Sequence, residues 1–378
     1  MEIRDLVEWQ ASSGHDANSV STYGHYSSET DLHTVAPWLD KKGIPFSRIT
    51  TDIDGEPRDG TTPDIGADEF IPDPATTIPM AGIYTVGTGG DYSTLNDVAY
   101  DLALRGVSDS VTIRLSSGNH NSQATFRPVP GVSESNTITI ESESGNADNT
   151  TISYAATSAE DNFVIRLMGS RYLSLKNLTI SATNSSGSDF GRALDLVGGI
   201  DFLTIEGCVL TGISGVSGST DRSLVRMNIS YFNSVFIRGN QFLNGSYGIE
   251  MRGYAGNNHK TYGLIAENNQ FTNNGYTGMY LYDVDGVKIR NNIFKSDDAN
   301  YGLYLRGCNG STEISKNKIN IGGTSPLYLM YCSGANPPST YRILISNNFI
   351  SAFGGAAQGA FTLYECSNLD VIYNSVYT

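Results

Sequence analysis

The 378-residue sequence predicts an all-β fold, a parallel β-helix (solenoid) that begins with a short capping α-helix. Three observations support this prediction. A phrase with Asn at a fixed position recurs through the second half, and a strictly alternating apolar phrase follows each copy. The composition is rich in Gly (41 residues) and Tyr (22 residues), with many Ser, Thr and Asn. Short strands joined by tight turns use such residues, whereas helical bundles do not.

The first repeated phrase is an apolar residue, two variable residues, Asn, one variable residue and an apolar residue. The Asn position of this phrase is occupied by Leu178 and Cys208 in two early copies, and then by Asn240, Asn269, Asn292, Asn317, Asn348 and Asn374. Successive Asn residues are 29, 23, 25, 31 and 26 residues apart, which is the length of one solenoid coil. Asn suits this turn because it tolerates left-handed backbone geometry, and stacked amides can hydrogen-bond along the axis.

The second phrase alternates apolar and polar residues, as in GIEMRGY (248–254), GMYLYDV (278–284) and GLYLRGC (302–308). Alternation predicts a strand with one buried face, so each coil is expected to contribute two strands to stacked parallel sheets. The predicted inward pairs include Ile249/Met251 and Phe361/Leu363. Cys308, Cys332 and Cys366 follow the same offset and should form one column. Three cysteines cannot all pair, which favours reduced, apolar thiols over a disulfide.

The start of the solenoid is predicted near residue 82. GIYTVGTGG (82–90) reads as a strand with a Gly-rich turn, and STLNDVAYDLALRG (93–106) has Leu95, Val98 and Leu102 at helical spacing. Thr94 and Asp97 are the expected N-terminal capping residues. A single amphipathic helix here would cover the open end of the core, which otherwise exposes strand edges.

With its Asn turns, the segment 82–378 resembles the right-handed parallel β-helix proteins of the pectate-lyase-like superfamily. Residues 1–72 resemble the closing segment of repetitive secreted or surface β-helix proteins of Bacteroidota-like bacteria. The phrases that carry this second resemblance are Trp9-Gln10, Asp16-Ala17-Asn18-Ser19, Asp31-Leu32-His33, Asp52-Ile53-Asp54-Gly55 with Arg58, and Asp64-Ile65-Gly66-Ala67-Asp68-Glu69-Phe70.

The two resemblances imply a domain organisation. Residues 1–72 would be the end segment of an upstream β-helix, residues 73–81 a linker, and residues 82–378 a right-handed parallel β-helix truncated at its C-terminal end. We therefore expect an extracellular or cell-surface location, as part of a longer bacterial protein.

One exposed strip of the second-phrase strands is rich in tyrosine and arginine. Sugars pack their C–H faces on aromatic rings, and Arg and Tyr can hydrogen-bond sugar hydroxyls or carboxylates. A polysaccharide or cell-surface glycan is thus a candidate partner. The alternative is that Tyr is present because it suits strands. The candidate glycan-binding residues are Arg226, Glu250, Arg252, Tyr280, Tyr282, Tyr304, Arg306, Tyr328 and Tyr364.

Two further functions remain open. A polysaccharide lyase or epimerase needs a base beside a sugar carboxylate that Ca²⁺ or Arg neutralises. The candidate catalytic residues are Arg252, His259, Lys260 and Arg306. A phage tail-type adhesin is the other alternative. The sequence contains no GxSxG, HExxH or P-loop motif, so the leading expectation is a non-enzymatic β-helix module that acts as a rigid spacer, a glycan-binding adhesin or both.

The distribution of charged side chains indicates which metals and partners the chain could bind. Residues 1–75 carry 15 acidic and 5 basic side chains, whereas residues 201–378 carry 12 of each. Asp52, Asp54, Asp64 and Asp68 are dense enough to bind Ca²⁺, although the distal Glu of an EF-hand loop is lacking and solvated acidic turns are the alternative. A net charge of −15 argues against nucleic acid. No apolar run approaches the roughly 18 residues that membrane insertion requires.

Overall fold

A computed structural model describes residues 6–184, 189–253, 261–334, 342–353 and 359–378. The chain forms a right-handed parallel β-helix, as the sequence predicts. Strands from successive coils pair in parallel and in register, which builds three long sheets around one apolar core. Within the described residues no helix has the length and apolarity needed to cross a membrane.

The first sheet contains 13 strands in the described part of the chain. They are Met80–Val86, Val107–Leu115, Ile138–Ser142, Leu173–Lys176, Ile200–Asp201, Thr204–Glu206, Phe232–Arg238, Thr261–Glu267, Val284–Asp285, Lys288–Arg290, Glu313–Ser315, Ile343–Ser346 and Leu369–Ile372.

The second sheet has nine strands and the third has ten, counted over the same described ranges. The second sheet comprises Ala124–Phe126, Ile165–Met168, Leu194–Val197, Ser223–Met227, Tyr247–Arg252, Thr277–Tyr282, Tyr301–Arg306, Leu327–Met330 and Phe361–Tyr364. The third comprises Gly118–Asn121, Thr150–Ala156, Thr179–Asn184, Val209–Thr211, Gln241–Leu243, Gln270–Thr272, Ile293–Ser296, Lys318–Ile321, Phe349–Ala352 and Ser375–Tyr377. In the described part of the chain, 3₁₀ turns lie at Ala147–Asn149 and Thr220–Arg222.

The prediction of two strands per coil is wrong, because each coil has three. The first repeated phrase spans a corner: Phe232–Arg238 belongs to the first sheet and Gln241–Leu243 to the third, with Asn240 between them. The left-handed residue of this corner is also not the repeated Asn but the one before it, as at Gly239 (φ 63°) and Asn268 (φ 58°). The left-handed residue turns the chain from the first sheet to the third, and the side chain of the Asn that follows is buried.

The buried Asn side chains form the predicted ladder. Asn240 Nδ2 donates to Asn269 Oδ1 at 3.0 Å and to the carbonyl of Ile205 at 2.9 Å. The same pattern repeats down to Asn374. At the start of the column Cys208 takes the Asn position, and its backbone N–H donates to Asn240 Oδ1 at 2.8 Å. Each amide thereby satisfies groups that the corner would otherwise bury without partners.

Like side chains stack on like in the core. Phe242, Phe271 and Phe294 are stacked with ring centroids 4.6 Å apart. Space for this stack comes from glycine in the facing strand, because a Cβ on Gly278 would lie 2.5 Å from Phe294 Cδ1. The predicted inward pair Ile249/Met251 is fully buried, whereas Leu363 in the last described coil is 41% exposed.

Helix α2 (Leu95–Arg105) covers the first coil, as predicted. Thr94 and Asp97 form a capping box, and Leu95, Val98 and Leu102 are fully buried. Both features follow from the sequence because the apolar spacing and the cap residues are local signals.

Residues 6–79 contain helix α1 (Leu6–Ser13), which the sequence analysis did not anticipate, and otherwise turns and isolated bridges. This segment packs against α2. The ring of His25 meets that of Tyr100 at 4.8 Å, and Arg105 Nε donates to the carbonyl of Ile78 at 2.9 Å. The first strand begins at Met80, inside the predicted linker 73–81. The division into an upstream closing segment, a linker and a second β-helix stays a prediction.

Candidate functional site

The outward side chains of the second sheet form two adjacent columns, here together called the outer strip, of which the first is the longer. The strands pair in strict register, so each outward residue lies directly over the one in the preceding coil. From the N-terminal side the first column runs Arg166, Asp195, Arg226, Glu250, Tyr280, Tyr304, Tyr328 and Thr362. Its first half is charged and its second half is mainly aromatic.

The charged half is internally neutralised. Glu250 is fully buried, and it accepts from Arg226 Nε at 3.0 Å and from Arg252 Nε at 2.7 Å. Two coils before Glu250, Asp195 accepts from Arg166 Nε at 2.8 Å and from Arg192 at 3.0 Å. Alternating charges on successive rungs attract one another along the axis, which stabilises the register.

The aromatic half is a stack of parallel rings. The centroids of Tyr280 and Tyr304 are 4.9 Å apart and those of Tyr304 and Tyr328 are 5.0 Å apart, with interplanar angles of 16° and 8°. The guanidinium of Arg252 lies 5.4 Å from the centroid of Tyr280. The ring faces are therefore covered by the neighbouring rings of the stack. Sugar packing against the faces of Tyr280 and Tyr304, which the sequence analysis expected, is therefore blocked, and the ring edges and hydroxyls remain.

Three further tyrosines support this stack and were missed by the sequence analysis: Tyr247, Tyr276 and Tyr301. Tyr247 meets Tyr280 edge-on at 6.0 Å, and Tyr301 meets Tyr304 edge-on at 5.0 Å. A sequence signal exists, since Tyr247 and Tyr301 each directly precede the Gly that opens the second phrase. Burial raises the pKa of Tyr304 to about 12 and also raises the pKa of Tyr280. Both phenols are hence neutral near pH 7 and carry a hydroxyl donor.

A second outward column runs beside the first: Arg252, Tyr282, Arg306, Met330 and Tyr364. The guanidinium of Arg306 lies 5.1 Å from the centroid of Tyr282 and 5.7 Å from that of Tyr331. Tyr331, which the sequence analysis also missed, meets Tyr364 edge-on at 5.6 Å.

Arg306 differs from the arginines of the charged half. Arg166, Arg192, Arg226 and Arg252 each pair with a carboxylate, whereas Arg306 has no ion pair with any residue that the structure describes. The two flanking rings hold the guanidinium by cation–π contact without consuming its N–H donors in a salt bridge. Arg306 is consequently the cation of the outer strip that is best placed to meet an external anion.

The candidate catalytic residues are only partly brought together. Arg252 and Arg306 are two rungs apart in the second column, with Tyr282 between them. Glu250 is enclosed by Arg226 and Arg252, so its carboxylate is not open to a substrate. His259 and Lys260 lie outside the described residues. The lyase or epimerase alternative stays a prediction.

The four candidate metal residues separate into two groups. Asp52 and Asp64 hold turns: Asp52 Oδ1 accepts from the backbone N–H of Glu56 at 2.8 Å, and Asp64 accepts from those of Lys41 and Phe70 at 2.6 and 2.7 Å. The carboxylates of Asp54 and Asp68 instead lie close to each other and to His33. The binding of Ca²⁺ by these residues stays a prediction.

Asp54 and Asp68 meet His33, a residue the sequence analysis did not consider as a ligand. One nitrogen or oxygen atom from each of the three side chains lies within 4.8 Å of the others. His33 Nε2 is 2.7 Å from Asp54 Oδ2, and Nδ1 contacts Asp31 Oδ1. Hydrogen bonds to Asp54 and then to Asp31 raise the pKa of His33 to about 9.

The comparisons with known proteins agree with the fold. Residues 225–378 match the family model described as right handed beta helix region, which covers the part of the chain that carries most of the outer strip. No curated protein matches the sequence significantly.

Several solved structures are similar to this chain at low identity. Pectin methylesterase from Aspergillus niger is 16% identical, with a TM-score of 0.34 over 79% of this chain and 87% of that one. Pectin methylesterase PemA from Erwinia chrysanthemi is 12% identical, with a TM-score of 0.36 over 72% and 80%. For the A-module of the mannuronan C-5 epimerase AlgE6 from Azotobacter vinelandii the identity is 12% and the TM-score 0.27, over 75% and 92%. Values this low establish neither a shared site nor a shared activity.

Proposed function

We propose that this chain is a non-enzymatic, extracellular or cell-surface β-helix module that binds acidic glycans along the outer strip. The observation that carries the proposal is Arg306, a guanidinium held between Tyr282 and Tyr331 that forms no salt bridge with the described carboxylates, although its charge acts on that of Asp283. The chain is acidic overall, with a net charge of −15. An arginine without a salt bridge is a specific feature on such a chain, because acidic groups are available in excess.

A sugar carboxylate matches this group well. The planar fork of a guanidinium bonds a carboxylate through two parallel N–H donors, and such charge-assisted bonds are roughly twice as strong as neutral ones. The neighbouring Arg252 is already bonded to Glu250, so it adds less to an incoming anion. We therefore assign recognition of the carboxylate to Arg306.

The stacked tyrosines would contact the sugar hydroxyls. The rings of Tyr280, Tyr304 and Tyr328 keep one another in place, so little side-chain entropy is lost when a ligand binds. Their neutral phenol groups both donate and accept, which is what a row of sugar hydroxyls requires. Polar recognition through ring edges replaces the face packing expected from the sequence.

The experiment measures retention of the purified chain in gels that contain polygalacturonate or the neutral polymer dextran. We expect retention by polygalacturonate alone. Arg306→Ala should weaken it by at least about tenfold, since a bond to a charged group contributes about 1.5–3 kcal/mol. Arg290→Ala is the matched control, because Arg290 lies on the first sheet and pairs with Glu313.

Equal weakening by Arg290→Ala and Arg306→Ala would reduce the effect to net charge and overturn the proposal, as would the absence of retention. The same samples are followed at the absorbance band of unsaturated sugars. New absorbance that disappears in Arg252→Ala would replace the non-enzymatic function with the lyase alternative.

A further inference from the structure

We propose that His33, Asp54 and Asp68 bind a divalent transition-metal ion, Zn²⁺ in the first instance, and that Asp31 orients the imidazole. The inference is independent of the proposed glycan binding, because it concerns the segment ahead of the solenoid. The three ligand atoms lie within 4.8 Å of one another in the absence of an ion. Bonds of about 2.0–2.2 Å to one ion require these ligand atoms to move by roughly an ångström, a shift that side chains at the surface accommodate.

The backbone already holds the two carboxylate-bearing turns together. The N–H of Ile53 donates to the carbonyl of Ala67 at 3.0 Å, which joins the residues that directly precede Asp54 and Asp68. Asp52 fixes the first of these turns by accepting from the backbone N–H of Asp54 at 3.0 Å. The ligands therefore converge because of local backbone structure, before any ion is present.

Asp68 differs from the other aspartates of this segment in its hydrogen bonding. Asp52, Asp59 and Asp64 each accept backbone N–H groups in the surrounding turns. The carboxylate of Asp68, in contrast, makes no hydrogen bond or ion pair with the described residues, although it is partly buried beside His33 and Asp54. An ion shared with these two side chains would give this carboxylate a partner.

The donor set selects the class of metal. Ca²⁺ and Mg²⁺ take oxygen ligands, whereas an imidazole nitrogen suits Zn²⁺ and neighbouring transition metals. Asp31 contacts His33 Nδ1, and Nε2, which lies 2.7 Å from Asp54 Oδ2, would exchange that hydrogen bond for a bond to the ion. A carboxylate on the second nitrogen is the usual partner of a metal-bound histidine, because it fixes the tautomer and the ring orientation.

The test is calorimetric titration of the full untagged chain with ZnCl₂ and, separately, with CaCl₂. We expect one Zn²⁺ site per chain and much weaker Ca²⁺ binding. His33→Gln and Asp68→Asn should each abolish the site. Asp31→Asn should weaken it by about tenfold, the cost typical of losing a partner of a metal-bound histidine. His15→Gln is the matched control, since His15 is an exposed histidine in the same segment.

Asp68→Asn keeps the test decisive if His33→Gln disturbs folding, because no described hydrogen bond is lost with that carboxylate. Circular dichroism of each variant verifies the fold. Unchanged Zn²⁺ binding in His33→Gln or Asp68→Asn overturns the proposal, and equal loss in His15→Gln does so as well. Ca²⁺ binding as tight as that of Zn²⁺ would overturn the assignment of the metal class.

Discussion

The side chain of Asn269 donates to Asn292 Oδ1 at 2.9 Å, and the backbone N–H of Asn269 donates to the same oxygen at 2.9 Å. One carbonyl oxygen therefore serves two buried donors of the preceding coil. In addition, Asn292 Nδ2 satisfies the carbonyl of Ala266 at 2.9 Å. Loss of a single amide in this column leaves several buried groups without partners.

Asn292→Ala should consequently lower the free energy of unfolding by about 3 kcal/mol, because each orphaned buried group costs about 1–3 kcal/mol. Asn320→Ala is the control: Asn320 is exposed on the third sheet, and a change of at most about 0.5 kcal/mol is expected. Urea denaturation followed by circular dichroism compares the two variants. Equal midpoints would contradict a stabilising role for the ladder.

Glu250→Gln tests the charged half of the outer strip. The substitution keeps the shape of the side chain but removes the charge that Arg226 and Arg252 share, and we expect a loss of about 2 kcal/mol. Glu267→Gln provides the comparison, since Glu267 pairs with Arg238 at a partly exposed site, and surface salt bridges contribute at most about 1 kcal/mol. Denaturant titrations measure both. A larger loss for Glu267→Gln would show that burial does not set the strength of these pairs.

Gly278→Ala should disrupt packing between the second sheet and the phenylalanine stack. The added Cβ would lie 2.5 Å from Phe294 Cδ1 and 2.7 Å from the carbonyl oxygen of Gly302. Such overpacking typically costs about 1–3 kcal/mol. Gly218→Ala, whose Cβ would come no closer than 3.5 Å to Tyr276, should be nearly neutral. Thermal unfolding distinguishes the two variants. An unchanged midpoint in Gly278→Ala would show that the core around Phe294 can shift to accept the extra methyl group.

His25 makes stability depend on pH where residues 6–79 meet helix α2. Its buried ring lies edge-on to Tyr23 and Tyr100. Burial lowers the pKa of His25 below 6.5. A hydrogen bond with the backbone of Ala103 opposes this shift, the charge of Arg127 adds to it, and that of Asp101 opposes it.

The unfolded chain therefore binds more protons at His25 than the folded chain as the pH falls through about 6.5, and stability must decrease in that direction. His25→Phe removes the titrating group and keeps an aromatic ring. We expect the wild type to lose more unfolding free energy than His25→Phe between about pH 7.5 and pH 5.5. Equal losses in the two proteins would mean that His25 is not the group responsible.

The sequence was sufficient to predict the β-helix, helix α2 with its Thr94 cap, and the Asn column, because each of these repeats or follows a local pattern. The third strand of each coil was missed since the first phrase looks continuous, and only the left-handed residue before Asn240 breaks it. The site at His33 was missed for a different reason. Its ligands come from separate turns of a segment without periodicity, so only the folded backbone brings them together.

The sequence predicted which residues form the outer strip, but it did not predict how their rings are oriented. Alternation identifies which side chains point outward, and it correctly placed Tyr280, Tyr304 and Arg306 in two columns. It does not show whether neighbouring rings turn their faces to a ligand or to each other. That choice depends on the rise between coils, which brings like rings to stacking distance.

The Asn ladder has a consequence for how such a protein can evolve. Each amide bonds only to the coils beside it, so an extra stretch spanning one Asn-to-Asn interval would enter the column without altering any other interval. Unequal crossing-over between adjacent copies would then lengthen or shorten the rod by whole coils. A duplicated Tyr304 coil would add one more ring to the row, and the extent of the surface would become a heritable quantity that changes in unit steps.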